Sequence, residues 1–157
     1  MRIGKIFVSI SILSIVVAII LLSKSVYDSY KIETNNYDAI YNYVNNIDKS
    51  DFNGVLEIPA IRLKTGIVSD VDKGIIFVND KLIAGHSGNC KTCYFDNLDK
   101  LEIGDNVFLY LDYELQYKVD SIKEVDKNHV YINGDLNLIT CKKDDKNRRL
   151  LISLRKI

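Results

Sequence analysis

From Phe52 onwards, the apolar residues of this chain come in short runs that are separated by polar residues, glycine and asparagine. Runs of this length that contain valine, isoleucine, phenylalanine and tyrosine are typical of β-strands. The predicted strands are Gly54–Ile58, Gly74–Val78, Lys81–Ala84, Asn106–Leu111, Leu115–Val119, His129–Ile132, Leu136–Cys141 and Arg149–Leu154. About eight short strands leave little room for helices, and they favour a mainly β fold, a small closed or nearly closed barrel.

The segments between these runs contain turn signals. Pro59, the single proline, follows the first run and cannot donate a hydrogen bond to a sheet, so the strand should end before it. Asn79-Asp80 lies between two runs and is a signal for a two-residue hairpin. The next two predicted strands form a second hairpin. One short helical segment is predicted over Phe95–Leu101.

The N-terminal part of the chain has a different pattern. Residues Ile6 to Leu22 are apolar without a charged side chain, and Arg2 and Lys5 precede them. A membrane-spanning helix needs about 17–25 such residues, and a basic flank before the helix favours an N-terminus in the cytoplasm. A cleaved signal peptide would have a shorter apolar region, of roughly 7–15 residues, followed by a small-x-small cleavage site. We therefore expect an uncleaved, single-pass signal anchor.

Residues 25–50 are polar, but apolar side chains recur there at roughly helical spacing. They are Val26, Tyr30, Tyr37, Ile40, Tyr41, Val44 and Ile47. This pattern fits a juxtamembrane amphipathic helix that packs on the domain, and it fits a solvated stalk equally well. The expected organisation is an anchor at 1–24, a linker or helix at 25–50, and a β domain at 51–157 on the outer side of the cell membrane.

Composition narrows the function. The 157 residues suffice for one domain and a short extension, and 47% of them are hydrophobic. Lysine and arginine total 21, as do aspartate and glutamate, so the formal net charge is zero. A chain without excess positive charge gives no indication of a nucleic acid as partner. The three cysteines are an odd number, so in an extracellular domain at least one thiol has no partner within the chain.

Residues with reactive side chains lie at the ends of three predicted strands. Cys141 ends one run, His86 follows another within Gly85-His86-Ser87-Gly88, and Arg149 opens the last. A thiol, an imidazole and a guanidinium can serve as nucleophile, acid/base partner and oxyanion donor. A free cysteine in a strand is usually a buried structural residue. Here the odd number of thiols, together with His86 and Arg149 at the ends of other strands, favours a catalytic role for Cys141.

Two of these assignments have competitors. His129 follows a turn signal and opens a predicted strand that needs no catalyst, so His86 is the preferred acid/base. Arg148 adjoins Arg149, and because successive strand residues point to opposite faces, only one of the two can face a site. The residue types alone do not decide which.

The remaining motifs have simpler interpretations. Cys90-Lys91-Thr92-Cys93 supplies two ligands, whereas a structural zinc site needs four, so we expect a local disulfide or two loop thiols. Two acidic clusters could bind calcium but are more typical of solvated loops. They are Asp70-Val71-Asp72 and Asp144-Asp145. We expect neither a metal site nor a cofactor.

From Phe52 to the C-terminus the chain resembles the sortases, cysteine transpeptidases of Gram-positive bacteria that attach surface proteins to the cell wall or to pilins. The segments that carry the resemblance are Ile83–Ser87, Phe95–Leu98 with Gly104-Asp105, Tyr117–Ile122 and Leu138–Cys141. The family pattern before the cysteine is Thr-Leu-x-Thr-Cys, and here Asn137 stands in place of the first threonine.

The resemblance implies an eight-stranded barrel with Cys141 as nucleophile, His86 as general acid/base and Arg149 as the arginine, with Arg148 in reserve. We also expect Ser87 and Thr140 to contact substrate. By analogy, the enzyme would cleave an LPxTG-like sorting signal after its threonine through a thioester. An amine of a cell-wall precursor or a pilin lysine would then resolve the thioester.

Two other classes of function remain open at this stage. One is a membrane-anchored extracellular barrel that binds a partner without catalysis. The other is a thiol oxidoreductase that uses Cys90 and Cys93. Thiol labelling separates the first from a transpeptidase, because a catalytic Cys141 should react in the folded protein and a core cysteine should not.

Overall fold

The structure is a computed structural model that describes residues 2–45 and 51–157, with side chains described in the N-terminal helix for residues 12–24 and 36–45. The chain divides into two compact units, Met1–Asp38 and Ala39–Ile157. Helix α1 covers Arg2–Val44. Within the part of the chain that is described, no helix has an apolar stretch long enough to cross a membrane.

The last turns of α1 belong to the second unit and pack on the barrel. Ile40 and Tyr43 are buried together with Val55, and the rings of Tyr43 and Phe52 meet edge to face at 6.4 Å. Positions 40, 43 and 44 share the face of the helix that contacts the barrel. Tyr41 lies outside this face and is exposed. Of the apolar positions predicted for this helix, Ile40 and Val44 pack on the barrel, whereas Tyr37 and Tyr41 are exposed. The side chains of Val26 and Tyr30, and residue Ile47, lie outside the described residues.

Residues 54–156 form a closed barrel of eight strands. They are β1 (Gly54–Ile58), β2 (Leu63–Val68), β3 (Ile75–Asn79), β4 (Leu82–Ala84), β5 (Asn106–Tyr110), β6 (Glu114–Asp126), β7 (Leu136–Cys141) and β8 (Arg148–Lys156). Their order around the barrel is β1-β2-β3-β4-β7-β8-β6-β5, and β5 closes on β1. Two single-turn 3-10 helices, Pro59–Ile61 and Leu98–Lys100, lie between strands. The predicted mainly β barrel is confirmed.

The turn signals were informative. β1 ends at Ile58, immediately before Pro59. β3 and β4 form the predicted hairpin, displaced by one residue, because Asn79 pairs with Leu82 and the turn is Asp80-Lys81. The Asn79 carboxamide oxygen accepts a hydrogen bond from the Lys81 N–H at 2.9 Å, which closes this turn.

One predicted strand is wrong and one strand was missed. His129–Ile132 is not a strand, because β6 continues past Val119 to Asp126 and occupies the edge of β8 that a further strand would need. The missed strand is β2, where Thr65-Gly66 interrupts the apolar pattern. A Cβ at Gly66 would lie 2.2 Å from the Phe52 ring, so packing explains the glycine.

The barrel interior is filled by aliphatic side chains from every strand. Fully buried residues include Leu56, Ile58, Ile67, Ile75, Ile83, Leu138, Ile152 and Leu154. β4 and β7 are parallel, so their C-terminal ends reach the same rim of the barrel, and antiparallel β8 begins there. The rim therefore brings together the three segments with reactive side chains.

Candidate active site

The pairing of β4 with β7 sets the positions of His86 and Cys141. Ala84 is paired with Ile139, and the Gly85 N–H donates to the Ile139 carbonyl at 3.2 Å. Continuing this parallel register by two residues brings His86 level with Cys141. The two residues are 55 positions apart in sequence, and the sheet makes them neighbours.

Two hydroxyl groups tie the segment after β4 to β7. Thr140 Oγ1 donates to the Gly85 carbonyl at 2.8 Å, and Ser87 Oγ donates to the Cys141 carbonyl. Thr140 is only 4% exposed. These bonds align the backbone on both sides of the site. Both residues border the smaller cavity described below, and their contact with substrate stays a prediction.

Gly85 is required where it stands. A Cβ there would lie 2.7 Å from Ile75 Cγ2 and 2.9 Å from the Phe95 ring, both of which are buried core residues. The Phe95 N–H donates to the His86 carbonyl at 3.1 Å and closes the intervening loop. The backbone of His86 is thus held from both sides.

Asn137, the departure from the family pattern, is fully buried and well bonded. Its side-chain amide donates to the Lys81 carbonyl at 3.1 Å, and its oxygen accepts from the Gly134 N–H at 3.4 Å. The amide therefore joins the start of β7 to the β3–β4 turn. It lies at the opposite end of β7 from Cys141, so it supports the strand and leaves the rim unaltered.

Cys141 carries a free, exposed thiol at the last position of β7. It is paired directly with Arg149 of β8, and paired residues in an antiparallel sheet have their side chains on the same face. The Arg149 Nη1 group donates to the carbonyls of Lys146 and Arg148, each at 3.0 Å. These bonds hold the guanidinium beside the β7–β8 turn.

Arg148 is directed elsewhere. Its Nη2 donates to the Glu124 carbonyl at 3.3 Å, and its Nε lies 3.7 Å from a carboxylate oxygen of Glu124. Only Arg149 of the two lines a cavity with Cys141 in the described structure. The strand register thus distinguishes two arginines that the residue types alone left equivalent.

The imidazole of His86 is half-exposed, and its Nε2 lies 3.5 Å from a carboxylate oxygen of Asp72. Asp72 is in the β2–β3 loop, far from His86 in sequence, and the sequence assigned it only to a solvated acidic cluster. His129 lies beside Asp126 in the β6–β7 connection, with its side chain 74% exposed. The structure thus brings His86, and not His129, to the rim that carries Cys141.

Two cavities meet at Cys141. The small cavity, of about 330 Å³, has Phe95, Thr140 and Leu150 in its wall. The large cleft, of about 890 Å³, lies between segments 87–93 and 142–146, with Cys141 and Arg149 in its lining. Cys141 therefore borders both cavities.

Ion pairs connect the two sides of the rim. Lys143 lies 3.1 Å from Asp96 and 3.7 Å from Asp99. The hydrogen bond from Lys143, together with the Gly88 N–H, holds the pKa of Asp96 below its usual value. Lys142 lies 2.8 Å from Glu124, which raises the pKa of this lysine. These pairs order the β7–β8 turn against its neighbours.

Cys90 and Cys93 form a disulfide, which is one of the two states that the sequence left open, and both line the large cleft. Within the described residues, no group of three or more histidine, cysteine, aspartate or glutamate side chains is arranged to hold a metal ion. Asp70 accepts from the N–H of Asp72 at 3.0 Å, and Asp145 accepts from that of Asn147 at 2.8 Å. Both clusters thus contain turn-forming aspartates.

Comparison with known proteins gives a consistent result. The family model described as the Sortase domain matches residues 56–156. Sortase C1 of Streptococcus agalactiae, solved in complex with MTSET, is 21% identical with a TM-score of 0.62, over 74% of this chain and 72% of that one. Sortase C of Clostridium perfringens, solved with the C-terminal cell wall sorting motif, is 24% identical with a TM-score of 0.58, over 83% of this chain and 90% of that one.

A lid mutant of sortase A from Corynebacterium diphtheriae is also similar, at 24% identity and a TM-score of 0.58, over 71% of this chain and 73% of that one. At these identities the structural likeness by itself shows the fold. No curated protein sequence matches the chain.

Proposed function

This chain belongs to the sortase family, and we propose that it is a cysteine transpeptidase that cleaves an LPxTG-like sorting signal and joins the acyl fragment to an amine. The observation that carries the proposal is the position of Cys141, whose thiol is exposed. Cys141 is paired across the sheet with Arg149, and its carbonyl accepts a hydrogen bond from Ser87, the residue after His86. Cys141, His86 and Arg149 thus lie at one rim, which supports the roles proposed for them.

In the first half of the reaction, Cys141 attacks the carbonyl carbon of the threonine in the sorting signal. The thiol proton goes to the His86 imidazole, a carbon–sulfur bond forms, and the carbonyl becomes a tetrahedral oxyanion. Collapse of this intermediate breaks the threonine–glycine bond, and the imidazolium returns its proton to the departing amine. A thioester on Cys141 remains.

Arg149 stabilises the oxyanion. Its position on the same face as Cys141 supports this role, and the bonds of its Nη1 to two carbonyls of the β7–β8 turn reduce its freedom. A donor that is held in place before charge develops loses little by reorganisation. The remaining N–H groups of the guanidinium are available for the substrate.

In the second half, an amine attacks the thioester carbonyl and gives a proton to His86. The carbon–sulfur bond breaks as the new amide forms, and the imidazolium returns the proton to the sulfur, which restores the thiol. The amine comes from a cell-wall precursor or from a pilin lysine. The sorting motif bound by the sortase C of Clostridium perfringens supports a peptide of this kind as acyl donor. Neither a cofactor nor a metal enters these steps.

Sortases are generally membrane-associated surface enzymes, and the apolar run of residues 6–22 supports the same arrangement here. In this proposal residues 1–24 anchor the chain as a single pass, residues 25–50 connect, and residues 51–157 form the catalytic domain outside the cell. Labelling of intact cells with a membrane-impermeant thiol reagent tests it. Cys141 should react without permeabilisation, and labelling only after permeabilisation would contradict the orientation.

Cleavage is tested with the full chain in detergent and a library of sorting-signal peptides, using mass spectrometry to identify the broken bond and a thioester on Cys141. Cys141→Ala should lose at least about 10⁴-fold in cleavage, with unchanged thermal unfolding because the thiol is exposed.

Paired replacement of Cys90 and Cys93 by serine should leave the rate of cleavage within a few-fold of the parent's. Turnover that survives Cys141→Ala would exclude the transpeptidase. Loss of turnover only in the serine pair would favour the oxidoreductase.

A further inference from the structure

The large cleft is bounded by charged residues that differ in how their charges are satisfied. Lys142 and Lys143 each have carboxylate partners within 4 Å. Within the described residues, Lys146 and Arg149 have none, and the guanidinium of Arg149 is bonded only to backbone carbonyls. Both line the large cleft, and neither lines the small cavity. The cleft therefore carries an uncompensated positive charge on one side of Cys141.

This charge distribution differs from that of the small cavity. The wall of the small cavity includes Phe95 and Leu150, together with the carboxylates of Asp96, Asp99 and Glu124, which are paired with lysines. An apolar or neutral peptide side chain suits that surface. The large cleft attracts an anion, because two cations without carboxylate partners among the described residues line it.

The proposed reaction brings two substrates to the same sulfur in succession. The first must present a peptide carbonyl, and the second must present an amine in its unprotonated form, since an ammonium has no lone pair with which to attack. Positive charges near an amine disfavour its protonated form. A cleft with surplus positive charge next to the thioester is therefore suited to the second substrate.

We propose that the large cleft is the site of the amine acceptor, and that Lys146 selects acceptors that carry a carboxylate close to the attacking amine. This inference rests on the transpeptidase function proposed above. The carboxylate lies against the Lys146 ammonium, while the amine reaches the thioester carbonyl beside Arg149. The chemical class of acceptor is an amino acid or peptide with a free carboxylate, in contrast to an uncharged amine.

The test is a cycle of two acceptors and two proteins. The full chain in detergent receives one sorting-signal peptide as donor and either diglycine or diglycinamide as acceptor. Mass spectrometry measures the ratio of transfer product to hydrolysis product, so that changes in thioester formation cancel. The acceptors differ in intrinsic nucleophilicity, and comparison with Lys146→Gln removes this difference, because it is common to both proteins.

We expect the preference for diglycine over diglycinamide to fall by about three- to fivefold in Lys146→Gln, the size expected for a solvent-accessible charge pair. In Lys146→Glu the preference should fall further, since the carboxylate then meets a like charge. Lys91→Gln is the matched control, because Lys91 is exposed on the neighbouring loop and does not line the cleft. It should keep the parent's preference.

Every other outcome contradicts the proposal. An equal preference in the parent and Lys146→Gln would exclude carboxylate selection by Lys146, and so would an equal loss in Lys91→Gln, which would indicate a general charge effect. Hydrolysis without transfer to either acceptor would exclude the cleft as an acceptor site for small amines. If the parent forms neither product, the transpeptidase function itself fails, and the acceptor assignment fails with it.

Discussion

Two polar regions on opposite sides of the barrel wall use charged residues in contrasting ways. On the β1–β2–β5 side, Glu57 accepts a hydrogen bond from the Tyr110 hydroxyl at 3.1 Å and lies 2.8 Å from the Lys64 ammonium. That ammonium is 5.4 Å from the centre of the Tyr110 ring. At the β4–β7–β8 rim, Lys146 and Arg149 lack carboxylate partners among the described residues.

The first region is complete without a ligand, since each of its groups is a partner for another. It also adjoins the buried end of α1, where Tyr43 packs beside Val55. Substitutions there should reduce stability and spare catalysis. The second region contains charged side chains without carboxylate partners in the described part of the chain and a free thiol, which a substrate can engage. Substitutions there should therefore reduce activity and spare stability. Mutual satisfaction of polar groups is thus a practical criterion for separating structure from function.

The largest expected effect lies at the rim and separates the two arginines. Removal of an oxyanion donor costs about 10²–10³ in kcat, so Arg149→Ala should lose at least that much in sorting-peptide cleavage, with a thermal unfolding curve close to the parent's. Arg148→Ala should change kcat only slightly, because its side chain faces Glu124. Steady-state kinetics on both variants measures this. A severe loss in Arg148→Ala with normal activity in Arg149→Ala would reverse the assignment of the two arginines.

The next effect concerns the side that carries the helix. Tyr43→Ala should lower the free energy of unfolding by about 3 kcal/mol, because it removes a buried aromatic ring and leaves a cavity against Phe52. Tyr41 is on the same turn but 60% exposed, and Tyr41→Ala should stay within about 0.5 kcal/mol of the parent. Urea unfolding measures both. Equal effects from the two substitutions would mean that this end of the helix does not stabilise the barrel.

The smallest effect concerns alkaline stability. Burial, followed by the nearby Glu57 carboxylate, raises the pKa of Tyr110 from 10.0 to about 12. The unfolded chain therefore binds fewer protons than the folded protein between about pH 10 and 12, so stability is fully retained below pH 10 and falls as the pH rises through that window. In Tyr110→Phe this fall should be smaller.

Urea unfolding at intervals from pH 9 to 12 measures the difference, with Tyr113→Phe as control, because Tyr113 is 64% exposed. A profile for Tyr110→Phe that matches the parent's would show that the hydroxyl contributes nothing to the pH dependence. At neutral pH the same substitution should cost about 1 kcal/mol, the usual net value of one hydrogen bond.

Strands with continuous apolar runs and clear boundaries were predictable from local sequence. β1 ends before Pro59, and β5 and β7 lie within one residue of their expected limits. Where the pattern was broken or short, prediction failed. β2 contains a glycine because the Phe52 ring occupies the space of a side chain. His129–Ile132 does not form a strand, because the continuation of β6 pairs with β8 instead.

The candidate site shows the same division. Residue chemistry was enough to propose Cys141, His86 and the arginine pair as candidates, because few side chains can act as nucleophile, proton carrier or oxyanion donor. The preference for Arg149 over Arg148, the proximity of Asp72 to His86, and the unpaired state of Lys146 were not accessible in this way. Each depends on residues that are distant in sequence.

Local sequence was therefore sufficient for most of the strands, the mainly β class and the choice of candidate reactive groups, since these depend on side-chain chemistry and on periodicity over a few residues. Tertiary structure decided which groups meet. The parallel pairing of β4 with β7 brings His86 level with Cys141, and the register of β7 with β8 sets Arg149 opposite the thiol. Strand pairing is a long-range choice governed by closure of the barrel and burial of its core, and a shift of one residue would exchange the two faces of β8.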